Sequence, residues 1–383
     1  LNIFNLSDTI FMTVILNVID NPRAFWVVNS LFVFALSVFC AGVLIPQILL
    51  ISFRKRLFDV PDERKIHQGV VPRLGGIAFK PVVFFSVALA LGLNMLLGYG
   101  QLLGNIGSES RPLAFGFCTI MMLYLVGMAD DLIGIRYRAK FAIQIICGLL
   151  VIAGGLWINN LHGLLFIHAL PEWIGYPITL FAVVFIINAI NLIDGIDGLA
   201  SGLSSVALLI FTFLFINKGL WSYAMLAAGT FGVLVPFFYY NVFGSVERAR
   251  KIFMGDTGSL TLGYTLSFLA IKYSQHNTDI MPYTAGAFST MIIPAFDVVR
   301  VVLVRIREGH SPFEPDKNHI HHKLLAVGLS PRKAMLSLLF MSCAFSAANI
   351  LLVPYVNNTM MLIADIVIWI GLNLWWDYLR DKK

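Results

Sequence analysis

Apolar residues run in long blocks along this chain, and polar residues collect in the gaps between them. The blocks cover 26–53, 74–98, 112–129, 139–157, 174–193, 198–216, 220–240, 257–271, 281–304, 334–353 and 359–379. Crossing a hydrocarbon core takes roughly 20 apolar residues in a helix, so the pattern predicts an all-α polytopic membrane protein with eleven spans. A transmembrane β-barrel would instead show ~10-residue segments of alternating polarity. The stretch before Trp26 holds Asp8, Asp20, Asn21 and Pro22. It reads as an interfacial or poorly defined segment over 1–25, ahead of one transmembrane domain over 26–383. With no basic start, it does not read as a cleavable signal peptide.

Composition agrees with the pattern. Of 383 residues, 58% are hydrophobic and 13% charged, where a soluble domain carries roughly 25% charged residues. Lys and Arg set an orientation. The connections after the odd-numbered spans, together with Lys140 at the start of the fourth block and the C-terminal tail, hold 21 of the 27. The expectation is therefore an N-terminus outside and a C-terminus in the cytoplasm. The net charge of +6 reflects loops that face anionic headgroups and is no argument for nucleic acid. Cys40, Cys118, Cys147 and Cys343 are scattered singly, with no spacing for zinc or a disulfide framework.

Five carboxylates stand where a membrane chain should avoid them, at the ends of apolar blocks: Asp130, Asp131, Asp194, Asp197 and Asp256. An acid at such depth is costly unless it is paired, metal-bound or facing water. All five fall in connections assigned to the cytoplasmic side.

Each lies in a motif with its own chemistry. In Gly127–Gly134 the adjacent carboxylates Asp130 and Asp131 point about 100° apart on a helix, so they cannot do the same job. In the run from Asn188 to Gly198, Asn188, Asn191, Asp194 and Asp197 recur every third residue, as a polar stripe on a helix would. Phe253–Ser259 sets Asp256 between glycines at the start of a span, where N–H groups suit a phosphate and a carboxylate suits its Mg²⁺. The same Asp256 could also cap that helix. His319, His321 and His322, in the loop after span 9, could donate hydrogen bonds to a pyrophosphate; no closed set of four zinc ligands accompanies them. Pro312 and Pro315 predict a fixed turn ahead of them. Lys80 reads as a residue snorkelling to the interface, and Arg300 as a positive-inside residue. Arg305 is the better placed of the two arginines to meet phosphate. Together these features point to a metal-dependent phosphate reaction with a soluble nucleotide and a lipid acceptor. A proton-coupled transporter or lipid flippase would place its acids near the bilayer midplane, and no internal repeat supports one.

The runs GMADDLIGI, NAINLIDGIDGL, FMGDTGS and SPFEPDKNHIHHKL, with the basic stretch PDERKIHQGVVPRLGGIA, resemble the polyprenyl-phosphate N-acetylhexosamine-1-phosphate transferases. The likeness covers roughly 30–380. The run His319-Ile320-His321-His322 is similar to the WecA/TagO-type branch; the MraY branch shows three consecutive histidines. The resemblance implies UDP-GlcNAc as donor, undecaprenyl phosphate as acceptor, UMP as product and dependence on Mg²⁺ or Mn²⁺. It implies that Asp130 or Asp131 positions or deprotonates the lipid phosphate, and that Asp256, with Asp131, ligates the metal. Asp194 and Asp197 would help to hold nucleotide or metal. Asn188, Asn191, Arg305 and the three histidines would bind substrate. A homodimer in the bacterial cytoplasmic membrane is compatible with it, as is a relative using another UDP-N-acetylhexosamine or UDP-MurNAc-pentapeptide.

Overall fold

A computed structural model describes residues 21–57, 71–99, 109–275, 287–311 and 318–382. Pro312 and Pro315 lie outside the described residues. The elements in chain order are α1 Pro22–Lys55, a 3₁₀ turn Gly75–Ala78, α2 Phe79–Leu96, α3 Ser110–Ile133, α4 Tyr137–Ala153, β1 Asn160–Leu164 and β2 Ile167–Ala169. They continue with α5 Glu172–Ile193, α6 Leu199–Lys218, α7 Trp221–Val242, α8 Gly255–Gln275, α9 Ile292–Arg307, α10 Ile320–Ala326, α11 Pro331–Leu352 and α12 Asn358–Asp381. The protein is an all-α polytopic membrane protein. Among the described residues, eight helical segments are long and apolar enough to cross a membrane. Helices α4, α8 and α9 coincide with other predicted spans but fall short of that length or apolarity; α4 has 17 residues and α9 has 16.

Helix α8 explains why a span can be only weakly apolar. Every residue from Thr257 to Ile271 is buried, so the helix sits inside the bundle and meets protein on all sides. It can therefore carry Thr257, Ser259, Thr261, Thr265 and Ser267. The hydroxyls of Thr261, Thr265 and Ser267 bond carbonyls one turn back at 2.6–2.8 Å, which satisfies them within the helix. Small residues then let neighbours approach closely, as in membrane helix packing. A Cβ on Gly127 would lie 2.5 Å from the Thr257 Cα, and one on Gly263 would lie 2.7 Å from the Ile187 Cα. These two contacts set α3 and α5 against α8.

Four local features correct or extend the sequence-based expectation. The first helix begins at Pro22, not Trp26: the Asn21 side chain accepts from Arg23 N at 3.0 Å, and Pro22 occupies the first turn, the favoured residues for a helix start. The connection between α4 and α5 is an antiparallel hairpin. It is bound to α12 through Leu165 N to Thr359 Oγ1 at 2.7 Å and Asn358 Nδ2 to His162 O at 2.8 Å. Glu109 ties the start of α3 to the bundle, accepting from Tyr223 Oη at 2.8 Å and Lys272 Nζ at 2.6 Å. Lys80 does not reach an interface. It is fully buried and donates to Thr265 Oγ1 at 2.9 Å.

Thr265 already donates its own hydrogen to Thr261 O, so removing the amine strands no polar group. Replacing an isolated buried ammonium by an apolar side chain of similar length is neutral or stabilising. Lys80→Met should melt at or above the wild-type temperature in detergent; a clear drop in Tm would show that the amine has a necessary partner.

Candidate active site

The site forms at the end of the bundle where α3 and α5 finish and α8 begins. Helix α3 ends at Ile133, and its last turns present Asp130 and Asp131 in different directions. Asp131 reaches across to α8: Oδ1 accepts Asp256 N at 2.7 Å, and Oδ2 accepts Thr257 N at 2.9 Å and Thr257 Oγ1. It therefore caps the α8 N-terminus from another helix, satisfying orphan donors and opposing the positive end of the helix. A Cβ on Gly255, where φ is +71°, would lie 2.6 Å from both Asp131 oxygens, so glycine is required there. Asp256, which the sequence offered as a possible cap, is freed from that task.

Asp130 turns the other way. It accepts Ile135 N at 2.6 Å and Lys140 Nζ at 2.9 Å. The same Lys140 reaches Asp256 Oδ2 at 3.2 Å. The Asn191 side chain binds Asp256 Oδ1 and Ser259 Oγ. Residues from α3, α4, α5 and α8 thus share one network. Asn188 lies one turn deeper and is committed elsewhere, donating to Gln144 Oε1 at 2.6 Å and Val184 O at 2.7 Å.

The expected polar stripe breaks after Ile193, where α5 ends. Asp194 is the first residue beyond it, with φ −75° and ψ 51°. Asp194 opens to solvent but lies in a cleft closely walled by protein. That confinement, with the charges of Asp256 and Asp197 nearby, pushes its carboxyl up to about 7. No hydrogen bond to its side chain comes from the described residues. Asp197 leaves the stripe altogether and pairs with Lys251 at 2.5 Å. Buried Asn241 pins this turn, accepting Gly198 N at 2.6 Å and donating to Ile252 O at 2.8 Å. The end of the first basic loop completes the floor, with Phe253 N to Pro72 O at 2.8 Å and Gly76 N to Met254 O at 2.8 Å.

The histidines close the cleft from α10. His321 is buried against Gly195, where any Cβ would overlap its ring. Neither ring nitrogen of His321 has a partner among the described residues. Burial, and next the neighbouring His322 and His319, push it down to about 3. His319 stacks on His321 with ring centroids 5.8 Å apart, and the His322 ring centroid is 4.2 Å from that of His321. From the other side α12 holds α10, with Lys323 Nζ 2.8 Å from Asp377 Oδ2. Arg305 is buried on α9. Arg300, expected only to mark the inner face, instead binds Asp297 at 2.7 Å and the Asn318 carbonyl.

The sequence reading missed Lys140, Lys251, Asn241 and Asp297. The two lysines were counted only as loop charge. Asp297 carried a usable signal, as an acid inside an apolar block three residues before Arg300.

Fold and site together define a multi-pass helical membrane protein with an acidic, histidine-closed cleft at one end of its bundle. Residues 113–274 match the family described as glycosyl transferase family 4. The chain is 31% identical over 338 residues to an undecaprenyl-phosphate alpha-N-acetylglucosaminyl 1-phosphate transferase of Yersinia pestis, spanning 85% of this chain and 82% of that one. It is 31% identical over 321 residues to a probable undecaprenyl-phosphate N-acetylglucosaminyl 1-phosphate transferase of Bacillus subtilis, spanning 83% and 84%. A relative in Escherichia coli strain K12, also an undecaprenyl-phosphate alpha-N-acetylglucosaminyl 1-phosphate transferase, is 32% identical over 308 residues, spanning 77% and 76%. The chain belongs to glycosyl transferase family 4.

Two measurements check this geometry. Asp131→Ala removes the α8 cap and should cost about 1–3 kcal/mol. Asp131→Asn keeps one acceptor oxygen and should melt between Ala and wild type; equal Tm values for all three would dissolve the cap. His321 tests burial through pH. Its folded value lies below the unfolded one near 6.5, so its contribution is full above about 6.5 and falls as pH drops towards the folded value near 3. The slope approaches about 1.4 kcal/mol per pH unit. His321→Phe should flatten the acid side of the stability curve between pH 6.5 and 5; an unchanged slope would mean the ring is not buried neutral.

Proposed function

We propose that this protein transfers N-acetylglucosamine-1-phosphate from UDP-GlcNAc to undecaprenyl (polyprenyl) phosphate, releasing UMP, at the cytoplasmic face of a bacterial inner membrane. The observation that carries this reading is the single network joining Asp130, Asp131, Asp256, Asn191 and Lys140 at the rim of an apolar bundle. The names of the relatives supply the substrates. The acceptor phosphate oxygen attacks the β-phosphorus of the donor, and the bond from that phosphorus to the UMP oxygen breaks.

Asp130 positions the acceptor phosphate and takes its proton where one is present. Lys140, between Asp130 and Asp256, offsets charge on the phosphates that meet there. Exposed Leu132, Ile133, Tyr137 and Phe141 flank this corner and let the prenyl chain stay in lipid while its phosphate reaches the acids. Asn191 holds Asp256 in place. Asp194, Asp197 and the His319, His321 and His322 group line the donor side with Arg305. The ring nitrogens of His321, without a partner among the described residues, are suited to a ligand, since an unsatisfied buried polar group costs about 1–3 kcal/mol.

The residues fit Mg²⁺ or Mn²⁺. Among the described residues no three acids, histidines or cysteines converge as a complete metal cage, and Mg²⁺ usually takes only one or two protein carboxylates, with phosphate and water completing its shell. The negative charges of Asp256 and Asp197 beside Asp194 also favour a cation. Asp256 would be the first ligand, with Asp131 beside it. The ion would neutralise charge on the pyrophosphate.

Asp131 is engaged by three donors, and Asp130 by a backbone N–H and an ammonium. Neither is presented as a free nucleophile, which supports direct attack. Purified protein with labelled UDP-GlcNAc, polyprenyl phosphate and Mg²⁺ should give a lipid-extractable product and UMP, with intersecting initial-velocity lines. Parallel lines would favour a covalent intermediate. Asp256→Asn should lower metal-dependent UMP release by at least about a thousandfold, in line with the loss of a main electrostatic contact. Full turnover by that variant would remove the assignment.

A further inference from the structure

Asp297 is completely buried within α9, outside every motif that carries the transferase chemistry, yet it is the most heavily engaged carboxylate on the histidine side. His319 Nδ1 lies 2.8 Å from its Oδ2, while Ile320 N donates to its Oδ1 at 2.8 Å and Arg300 at 2.7 Å. Arg300 also holds the Asn318 carbonyl. The carboxylate thus grips the backbone on one side of the His319 ring and the ring itself, while its arginine partner grips the backbone on the other side.

We infer that Asp297 is a positioning residue for the donor site, fixing His319 with Nδ1 turned inward so that Nε2 is the ring atom offered to the donor pyrophosphate. A carboxylate on one imidazole nitrogen sets both the tautomer and the orientation of the other. The effect reaches further than one ring. His319 stacks nearly parallel on His321, at 4°, and His321 rests on Gly195 beside Asp194. One buried acid therefore sets the height of the histidine wall above the acidic turn. The seven-residue α10 is too short to hold a position by itself, which is why an anchor on α9 matters. The α12 contact through Lys323 holds the middle of α10.

This inference rests on the donor-side reading proposed above, and its test separates the two. If wild-type protein makes no lipid-linked product, that reading fails. Given wild-type turnover, Asp297→Asn keeps the shape but offers an amide to Nδ1. It should lower kcat/KM for UDP-GlcNAc on the order of tenfold to a hundredfold, the range seen for groups that orient ligating histidines. KM for polyprenyl phosphate should stay within about twofold.

The decisive readout is coupling, measured as affinity for UDP by titration calorimetry in detergent. In a His319→Ala background, Asp297→Asn should cause no further loss. A full additional loss there, or an equal rise in both substrate KM values, overturns the inference in favour of a general structural role. Arg300→Gln, which loosens the clamp while leaving the carboxylate, gives a second cycle if Asp297→Asn yields no folded protein. Its loss should likewise vanish without His319, and persistence would count against the proposal.

Discussion

The site depends on one carboxylate crossing from one helix to the start of another. Asp131 on α3 caps α8, and its donors are the backbone N–H groups of Asp256 and Thr257 and the Thr257 hydroxyl. That interaction fixes where α8 begins, and so fixes Asp256. It also explains the paired acids. A single aspartate at the end of α3 could cap its neighbour or face the cleft, but not both, because adjacent helical positions diverge by about 100°. The second acid lets α3 do the two tasks at once.

Crowding carboxylates at one end of an apolar bundle would be self-defeating without cations. Lys140 serves Asp130 and Asp256, and Lys251 serves Asp197. Arg300 and His319 serve Asp297. Asp194 has no cation bonded to it among the described residues, and the charges of Asp256 and Asp197 lie beside it. Glycines make the crowding geometrically possible, with Gly255 under Asp131 and Gly195 under His321. At both positions the absent Cβ is where a functional side chain sits.

Much of this was legible in the chain. Apolar blocks gave the helices because lipid and core both select for apolarity, and acids at block ends pointed to the acidic cleft because their depth demands a reason. The divergence of Asp130 and Asp131 followed from helical geometry alone. What stayed hidden was pairing across distance. No local pattern says that Lys140 faces Asp256 or that Asn241 bridges Gly198 and Ile252, since those contacts exist only once helices pack. The stripe from Asn188 to Asp197 failed for a local reason. Gly195 and Gly198 are both points of close approach, to His321 and to Val242 and Met335, and they also mark the turn that ends α5. Asp297 was visible as an intramembrane acid. Its meaning needed the histidine segment folded onto it, and no spacing rule links positions 22 residues apart.

The enclosure of α8 also bears on how the chain enters the bilayer. A segment with this many hydroxyls and glycines partitions into lipid less readily than its neighbours, because membrane insertion is scored on apolarity. Its seats on α3, α5 and α6 all precede it in the polypeptide. Biogenesis can therefore deliver those walls first and let α8 slide into a proteinaceous slot, sparing its hydroxyls from bare hydrocarbon. The order of helices along the gene product thus doubles as an assembly sequence, with the helix that carries Asp256 arriving only after its socket has been made.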